Sequence, residues 1–580
     1  MSEEIRCQDA SPACFDRTLK MCTVMVIDEM LDPSLDVAYT SRVDAIIKLF
    51  LTFIYTHLNF EDKSERTKAR ESLANRKNLS VLEPQEPEEL EDLKVSLVSV
   101  NDLTLRNEEP KVVGCVVGWR EDEELYARCL QSLISSPSCT AIVAGIDGDE
   151  GEDERMVEIF QRVHPDGVVF RLAQPLSDTL DHLATLADIE VLNDEIGQAA
   201  IMERLQNYLR DLLAEELLPR HPCDVRAICV VQPHRSKKDI LFTTLTVATT
   251  IAQDQCAELI FSTDSDSIVS PGAILKMARK LKSNPNVGGV SGHMRFFHPR
   301  PTFITKVATS YYWFQQDVYK IQGAIFGANE CQPGPCGAFR ATALNKVLIP
   351  WYCQRVLGRK MITNEDRHLT TRLLWAGYNV DHVPDAVIYT DTPDTFSAWV
   401  KQQVRWSRGT IIESIWYPRM VWRLSPWHIF TILKSRLIPI LIFCMVLSSA
   451  MTGRRLLAGI MDRVVADMVI TVDVFCCLSL QVAYLVFLGP NETLIQDLIW
   501  LLPALVWLLV LSPGIVVWSL ITVFDGSWGT QPRALARKAS DSCGRSDFRH
   551  TSTEVLFVLS WLCLCLVAVL RDYSHKGAVV

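Results

Sequence analysis

Three short polar motifs occur in order along this chain: Asp264-Ser265-Asp266, Asn364-Glu365-Asp366 and Gln402-x-x-Arg405-Trp406, the last followed closely by strongly apolar sequence. Asp264 and Asp266 follow the apolar run Leu259–Ser262. Alternate residues of a strand share a face, so this spacing gives two carboxylates pointing one way. Hard cations such as Mg²⁺ or Mn²⁺ suit oxygen ligands of this kind, and a cation held there acts as a Lewis acid on a departing anion. A polar turn with capping aspartates is the plainer alternative. Glu365 and Asp366 form a second acidic pair. A carboxylate in that place can take a proton from an attacking hydroxyl, or Asn364 can simply cap a helix whose positive end attracts acids. Arg405 offers a planar cation for phosphate oxygens and Trp406 a face on which a ring can stack, although an amphipathic helix at a lipid interface has the same composition. Ser236-Lys237-Lys238, after a strand, is either a diphosphate contact or a solvated basic turn.

These residues need elements to position them. From Lys111 the sequence alternates between strand-like and helix-like patterns. Val112–Val117, Ala141–Ile146, Ala227–Val231 and Leu259–Ser262 read as buried strands, a helix runs through Leu133, and a helix-rich insertion occupies roughly 175–220. Such alternation predicts a mostly parallel sheet with helices on both faces. Ligands of these sheets bind at the carboxyl ends of the strands, where Asp147 and the Asp264–Asp266 pair fall.

After Trp427 the sequence is membrane-like. Leu437–Met451, Met468–Leu488, Leu494–Phe524 and Val555–Leu570 are long apolar runs, expected to place the protein in a lipid bilayer. Pro503 and Pro513 interrupt Leu494–Phe524, which leaves it open as a re-entrant or interfacial segment or two half-spans hinged at the prolines. The basic loop 525–552, with Arg533, Arg537, Lys538, Arg545 and Arg549, favours the cytosolic side, but Gly453–Arg463 is basic too. Asp473 and Gln481 lie within an apolar run and either line a conduit or sit near an interface. Ala45–Phe60 is apolar but short for a span, and residues 61–110 read as a charged linker. The acidic N-terminus lacks the apolar core of a secretory signal.

A net charge of −11 argues against nucleic acid as a partner. The 18 cysteines have no regular spacing, and no second pair accompanies Cys331 and Cys336 to complete a zinc site. The expected organisation is therefore an N-terminal region over 1–110, a catalytic α/β domain over 111–395, an interfacial helix region over 396–427, transmembrane or re-entrant helices over 428–524, a cytosolic loop over 525–552, and a terminal transmembrane helix and tail over 553–580.

Taken together and in this order, the motifs resemble those of the processive family 2 glycosyltransferases, nearest to the hyaluronan and chitooligosaccharide synthases, with chitin and cellulose synthases further away. The resemblance covers roughly 111–533. Phe261-Ser-Thr-Asp-Ser-Asp-Ser267 with Asn286-Val-Gly-Gly-Val-Ser-Gly292 is similar to the donor-metal segment, Gln332-Pro-Gly-Pro-Cys-Gly-Ala-Phe-Arg340 to the acceptor-side loop, and Asn364-Glu-Asp-Arg-His-Leu-Thr-Thr-Arg372 to the base motif. Tyr389-Thr-Asp-Thr-Pro393 with Gln402-Gln-Val-Arg-Trp-Ser407 resembles the terminal signature, and Ser527-Trp-Gly-Thr530 a gating segment.

The resemblance implies a GT-A type catalytic domain on the cytosolic face of a multi-pass protein of the plasma membrane. It implies an inverting enzyme that polymerises sugars from a UDP-sugar onto a growing glycan for a cell wall or capsule, with Mg²⁺ or Mn²⁺ as cofactor. Trp119, Arg120, Glu121 and Asp147 would contact the uridine, and Lys237 or Lys238 the diphosphate. Asp264 would bind donor, Asp266 the metal, and Asp366, beside Glu365, would be the base. Gly334, Pro335, Gln402 and Trp406 would hold acceptor, Arg405 the diphosphate, and Trp528 would close over the donor. No convincing transmembrane pair precedes the catalytic domain, so a homo-oligomer or other partners would complete an export channel. Two further readings stay open: a non-processive transferase that adds one sugar to a lipid, and a catalytically silent membrane scaffold.

Overall fold

A computed structural model describes residues 109–186, 194–217, 225–297, 301–418, 423–424, 426–453, 492–525 and 545–577. Ala45–Phe60, Met468–Leu488, Asp473, Gln481 and Trp528, with most of the 61–110 linker and the 525–552 loop, lie outside the described residues. In chain order the elements are β1 (Val112–Gly118), α1 (Glu123–Ile134), β2 (Cys139–Asp147), α2 (Glu154–Val163), β3 (Val168–Arg171), α3 (Leu176–Leu186), α4 (Glu195–Leu217), β4 (Ala227–Gln232), α5 (Lys237–Asp254), β5 (Leu259–Asp264), β6 (Ile268–Val269), α6 (Ala273–Ser283) and β7 (Val287–Phe296). Then come α7 (Phe303–Phe314), a π-helical turn (Gln315–Lys320), α8 (Ile321–Ile325), β8 (Gly337–Arg340), α9 (Ala341–Tyr352), the short pair β9 (Arg355–Val356) and β10 (Arg359–Lys360), α10 (Glu365–Trp375), β11 (Asn379–Thr390), α11 (Phe396–Trp416), α12 (Pro426–Thr452), α13 (Glu492–Ile521) and α14 (Arg545–Gly577).

Nine strands form one sheet in the order β3-β4-β2-β1-β5-β8-β7-β11-β6. The first five are mutually parallel. β8 runs antiparallel to both β5 and β7, and β6 antiparallel to β11, while β7 and β11 are parallel. The α/β class expected from the alternation is the one found, with strands one to three residues longer than predicted. Strand period puts Val113, Cys115 and Val117 on one face of β1, packed with α4, α5 and α9. Val112 and Val116 lie on the other, with α1, α2 and α6. Because both faces are covered, the strands read as continuous apolar runs.

The register fixes where the site falls. Val117 pairs with Asp264, Gly118 with Ile146, and Asp147 with Gln232. The carboxyl ends of β1, β2, β4 and β5 thus lie along one edge. The chain winds outward in opposite directions from β1, through β2 on one side and β5 on the other, which makes this edge a topological switch point.

The apolar C-terminal sequence is helical. Ile432–Thr452 and Thr553–Arg571 are long and apolar enough to cross a membrane, and Val506–Ile521 is a shorter apolar stretch. Leu494–Phe524, left open by its prolines, lies almost wholly within one continuous helix, α13, with Pro503 and Pro513 inside it. A neighbouring helix packs against this turn: Trp561 of α14 donates its indole N–H to the Val510 carbonyl (2.8 Å), next to the Leu509 carbonyl that Pro513 leaves without its helical donor. Residues 545–552, expected as loop, form the start of α14. Leu437, Val506, Leu509, Leu559 and Leu566 on these helices remain exposed, an apolar surface that water does not favour.

Gly145 in β2 marks a close approach of α5 to the sheet: a Cβ there would overlap the Thr244 side chain and crowd Ile240. Overpacking a core of this kind costs about 1–3 kcal/mol. Gly145→Ala is therefore expected to lower the thermal unfolding temperature of the purified protein, and a wild-type unfolding temperature would disprove the close contact.

Candidate active site

Each motif residue owes its position to an element just described. β5 delivers Asp264 as its last residue, and Ser265 and Asp266 form the turn beyond it. The two carboxylates are thus gathered by a turn, not by strand alternation. Ser236 caps α5, accepting from the Asp239 amide, so Lys237 and Lys238 open a helix instead of forming a loose basic turn. The two lysines then part. Lys237 reaches Asp264 Oδ1 at 2.7 Å and Glu365 Oε1 at 3.3 Å. Lys238 turns into the core, donates to the Met361 carbonyl at 2.8 Å and lies over the Trp351 ring. Burial pushes its ammonium down to about 7. Of the two candidates, Lys237 faces the site and Lys238 does not.

Lys237 is the link between two motifs far apart in sequence. Burial opposes its charge, but Asp264 and Glu365 outweigh that and hold its pKa above the ordinary lysine value. In return, Lys237 and then Arg405 overcome the burial of Glu365 and hold its carboxyl below the usual range. Asp366 behaves oppositely: burial and the adjacent Glu365 charge raise it. Its Oδ1 accepts from the Arg367 amide at 2.7 Å. Adjacent carboxylates pushed apart in this way divide naturally into a permanent anion and a proton acceptor.

Asn364 does not cap α10 with its side chain. It adopts the left-handed conformation (φ 69°), and Gly409 of α11 lies directly against it, with no room for a Cβ. Trp351 donates to the Glu365 carbonyl at 2.8 Å. Behind the turn, His368 of α10 meets Glu413 of α11 at 2.9 Å and accepts from Arg372 at 3.1 Å. Burial lowers His368 to about 4, so it is neutral and its Nδ1–H donates to Glu413. The acidic turn is thereby held to the helix bearing Gln402, Arg405 and Trp406.

On α11, Gln402 accepts from the Tyr312 hydroxyl at 3.0 Å, and Trp406 packs edge-on against the Tyr312 ring with centroids 5.6 Å apart. Arg405 leaves Nε buried without a hydrogen-bond partner among the described residues, which suits a group awaiting an anion. Gly334 lies against Asp264: a Cβ there would come within 3.0 Å of the carboxylate. Thr263 donates to the Pro335 carbonyl at 2.8 Å, fixing this loop to β5.

The uridine candidates occupy the neighbouring strand ends. Asp147 is 2% exposed and holds the β4–α5 loop: His234 Nδ1 lies 2.9 Å from Oδ2 and the Arg235 amide donates to Oδ1 at 3.1 Å. Trp119 stacks on His234 with centroids 4.4 Å apart. Arg120 is committed to Glu150, Glu152 and Asp153 at 2.5–2.9 Å, which makes it a clamp on the start of α2. Glu121 accepts from Ser265 at 3.2 Å.

That contact brings a further carboxylate to the Asp264–Asp266 turn, and Asp391, beyond β11, adds another. Burial, then Glu121 and Asp264, push Asp266 up to about 7. Crowded anions of this kind fit a divalent cation. Among the described residues no three His, Cys, Asp or Glu side chains form a ready metal cage. Mg²⁺ is commonly bound by one or two carboxylates supplemented by substrate phosphates and water, and Asp264 and Asp266 are the residues that would hold it. Asp391, Tyr312 and Gly409 contribute without having been singled out in the sequence, and Glu121, expected at the uridine, also adjoins this turn; Tyr389-Thr-Asp-Thr-Pro393, which contains Asp391, was the one available signal.

Residues 259–524 match the model of glycosyl transferase family group 2. Human hyaluronan synthase 3 is 26% identical over 312 residues, covering 53% of this chain and 52% of that protein. Hyaluronan synthase 2 of Mus musculus is 25% identical over 313 residues, covering 54% and 51%. Hyaluronan synthase 3 of Xenopus laevis is 25% identical over 428 residues, covering 73% and 68%. Apart from that last match, the chain spans about half the length of these curated relatives. Among solved structures, a mannosyltransferase from Pyrobaculum calidifontis in complex with GDP-Man and Mn²⁺ aligns over 81% of this chain and 89% of its own, with 13% identity and a TM-score of 0.33.

The Asn364–Gly409 contact offers a direct check on this geometry. Gly409→Ala must displace Asn364 and with it Glu365 and Asp366, and a misplacement of about 1 Å at reacting groups costs roughly 100-fold. Transfer measured per folded molecule should drop by about that factor, whereas unchanged turnover would show that the contact positions nothing. The sheet edge that gathers Asp264 and Asp266 and the acidic pair beside it thus lie in a chain whose residues 259–524 match glycosyl transferase family group 2 and which is similar to hyaluronan synthases.

Proposed function

We propose that this protein is a membrane-embedded, inverting glycosyltransferase that polymerises sugars from a UDP-sugar donor and passes the growing glycan across a lipid bilayer. The observation that carries this reading is the Lys237 ammonium, 2.7 Å from Asp264 and 3.3 Å from Glu365. It joins the donor-side carboxylates to the acidic pair next to which Arg405 lies. The exposed apolar faces of α12 and α14 support placement in a bilayer, and the likeness to hyaluronan synthases supports polymerisation.

In this mechanism the nucleotide lies along the carboxyl ends of β1, β2 and β4, near Trp119, Glu121 and Asp147. Asp264 and Lys237 orient the diphosphate and its sugar. Asp366 is the general base: it takes the proton from the acceptor hydroxyl as that oxygen attacks the anomeric carbon and the bond to the nucleoside diphosphate breaks. Glu365 stays ionised and keeps Lys237 in place. Arg405 supplies positive charge to the phosphate oxygens as they gain charge. When bound at Asp266, with Asp264 alongside, Mg²⁺ or Mn²⁺ supplies Lewis-acid stabilisation of the diphosphate. Gly334, Pro335, Gln402 and Trp406 shape the acceptor side. The catalytic domain is cytosolic, at the plasma membrane. Trp528 is the proposed cover over the donor, and a homo-oligomer is the proposed means of completing the export path.

Membranes containing the protein, incubated with individual radiolabelled UDP-sugars and Mg²⁺ or Mn²⁺, should release UDP and build a polymer, identified by sizing and specific glycosidases. A product extended by one sugar would replace polymerisation by single transfer, and no UDP release from any donor would overturn the enzyme reading. Asp366→Asn is expected to reduce turnover by about 100- to 10,000-fold, the usual contribution of general base catalysis, with donor KM little changed. Because Asp366 must be ionised and its pKa is raised, turnover should fall as pH decreases through a point above about 4, the ordinary carboxylate value. An acid limb at or below that value would remove Asp366 from the role.

A further inference from the structure

The two faces of α11 do different work. Gln402, Arg405, Trp406 and Gly409 face the catalytic domain and α7. Lys401, Val404 and Arg408 recur at helical spacing on another side, towards α13 and α14. Val404 offers its carbonyl to Ser519 at 3.3 Å, and Lys401 lies within electrostatic reach of Glu554.

Arg408 is the centre of this second face. It is 3% exposed. Its Nε and Nη2 donate to Thr522 Oγ1 at 3.0 and 2.8 Å. Nη2 also lies 3.1 Å from Asp525 Oδ2 and 3.0 Å from Glu554 Oε1. Thr522 and Asp525 follow the end of α13, while Glu554 stands at the start of the apolar part of α14. One guanidinium therefore ties together the end of one apolar helix, the beginning of the next, and the helix that carries Arg405 and Trp406 a single turn away. Its fork has five donors in a fixed plane, which a lysine ammonium cannot reproduce. Lys401 and Arg408 balance the two carboxylates that enter this buried junction.

We propose that Arg408 is a positioning residue for glycosyl transfer: by locking α11 to α13 and α14 it sets where Arg405 and Trp406 stand relative to the Asp366 turn. The inference rests on the transferase reading given above. It assigns Arg408 no contact with donor or acceptor. Loosening the junction lets α11 shift along its axis, which changes the alignment of reacting groups more than the affinity for nucleotide.

The test uses the full chain in membranes, with wild type measured in parallel and turnover expressed per folded, membrane-inserted molecule. Arg408→Gln should lower kcat by about 10- to 100-fold, as expected for an ångström-scale misplacement, while donor KM changes by less than about twofold. Arg408→Lys should fall between the two, because an ammonium meets only part of the partner set. Should Arg408→Gln fail to fold, the double variant Arg408→Met with Glu554→Leu removes the charges together, a replacement that buried ion pairs often tolerate. It should insert normally yet still show reduced kcat. Wild-type kcat per folded molecule in Arg408→Gln, or in the double variant where the single one does not fold, would overturn the proposal. So would a defect confined to donor KM. An inactive wild type would instead refute the transferase reading, which keeps the two failures apart.

Discussion

Like charges crowded at the edge of one sheet govern this structure. Glu121, Asp264, Asp266, Glu365, Asp366 and Asp391 converge from β-strand ends and turns, and their repulsion has to be met locally. Lys237 meets part of it by bridging Asp264 and Glu365. What remains falls on Asp266 and Asp366, both raised by burial and by neighbouring carboxylates. Unbalanced negative charge is the condition under which a divalent cation and a proton acceptor become useful. The electrostatic cost of assembling the site and its chemical capacity therefore have one origin.

Helix α11 transmits this arrangement outward. On its catalytic side, Gly409 admits Asn364 in a conformation that few residues adopt, and the Glu413–His368–Arg372 chain holds α10 alongside. Its opposite side is fixed by Arg408, while Tyr312 of α7 orients Gln402 and Trp406. A helix restrained on three sides can hold Arg405 and Trp406 in register with a turn that belongs to another element. The apolar helices are thus structurally continuous with the site, through buried polar contacts and the apolar cluster around Trp399, Leu511 and Val558.

Much of this was readable from local pattern. Buried parallel strands announce themselves as apolar runs because both faces are covered, so β1, β2, β4 and β5 were found to within two residues at each end. Asp147 and Asp264 could be placed at strand ends for the same reason. Helix α11 and the apolar character of α12 and α14 also follow from composition. Pro503 and Pro513 left the reading of α13 open, yet each removes only one backbone bond, and packing against α14, where Trp561 donates to the Val510 carbonyl, accompanies a continuous helix. The Asp264–Asp266 pair was credited to strand alternation, but β5 ends at Asp264, two residues short of what that argument requires.

Residue order alone specified the element types, the chemistry available to each motif and the sheet edge at which the first motif would lie, because periodicity and side-chain chemistry are local properties. It could not say which of two adjacent lysines faces the carboxylates. Their directions differ by a helical step of about 100°, and packing against Trp351 and Met361 consigns Lys238 to the core. Nor could it show that Arg120 is taken up by three acids, that Gly409 makes room for Asn364, or that Arg408 gathers Thr522, Asp525 and Glu554. Those pairings join residues separated by between 30 and 146 positions, and distance along a chain says nothing about direction in space until the sheet and its helices are packed.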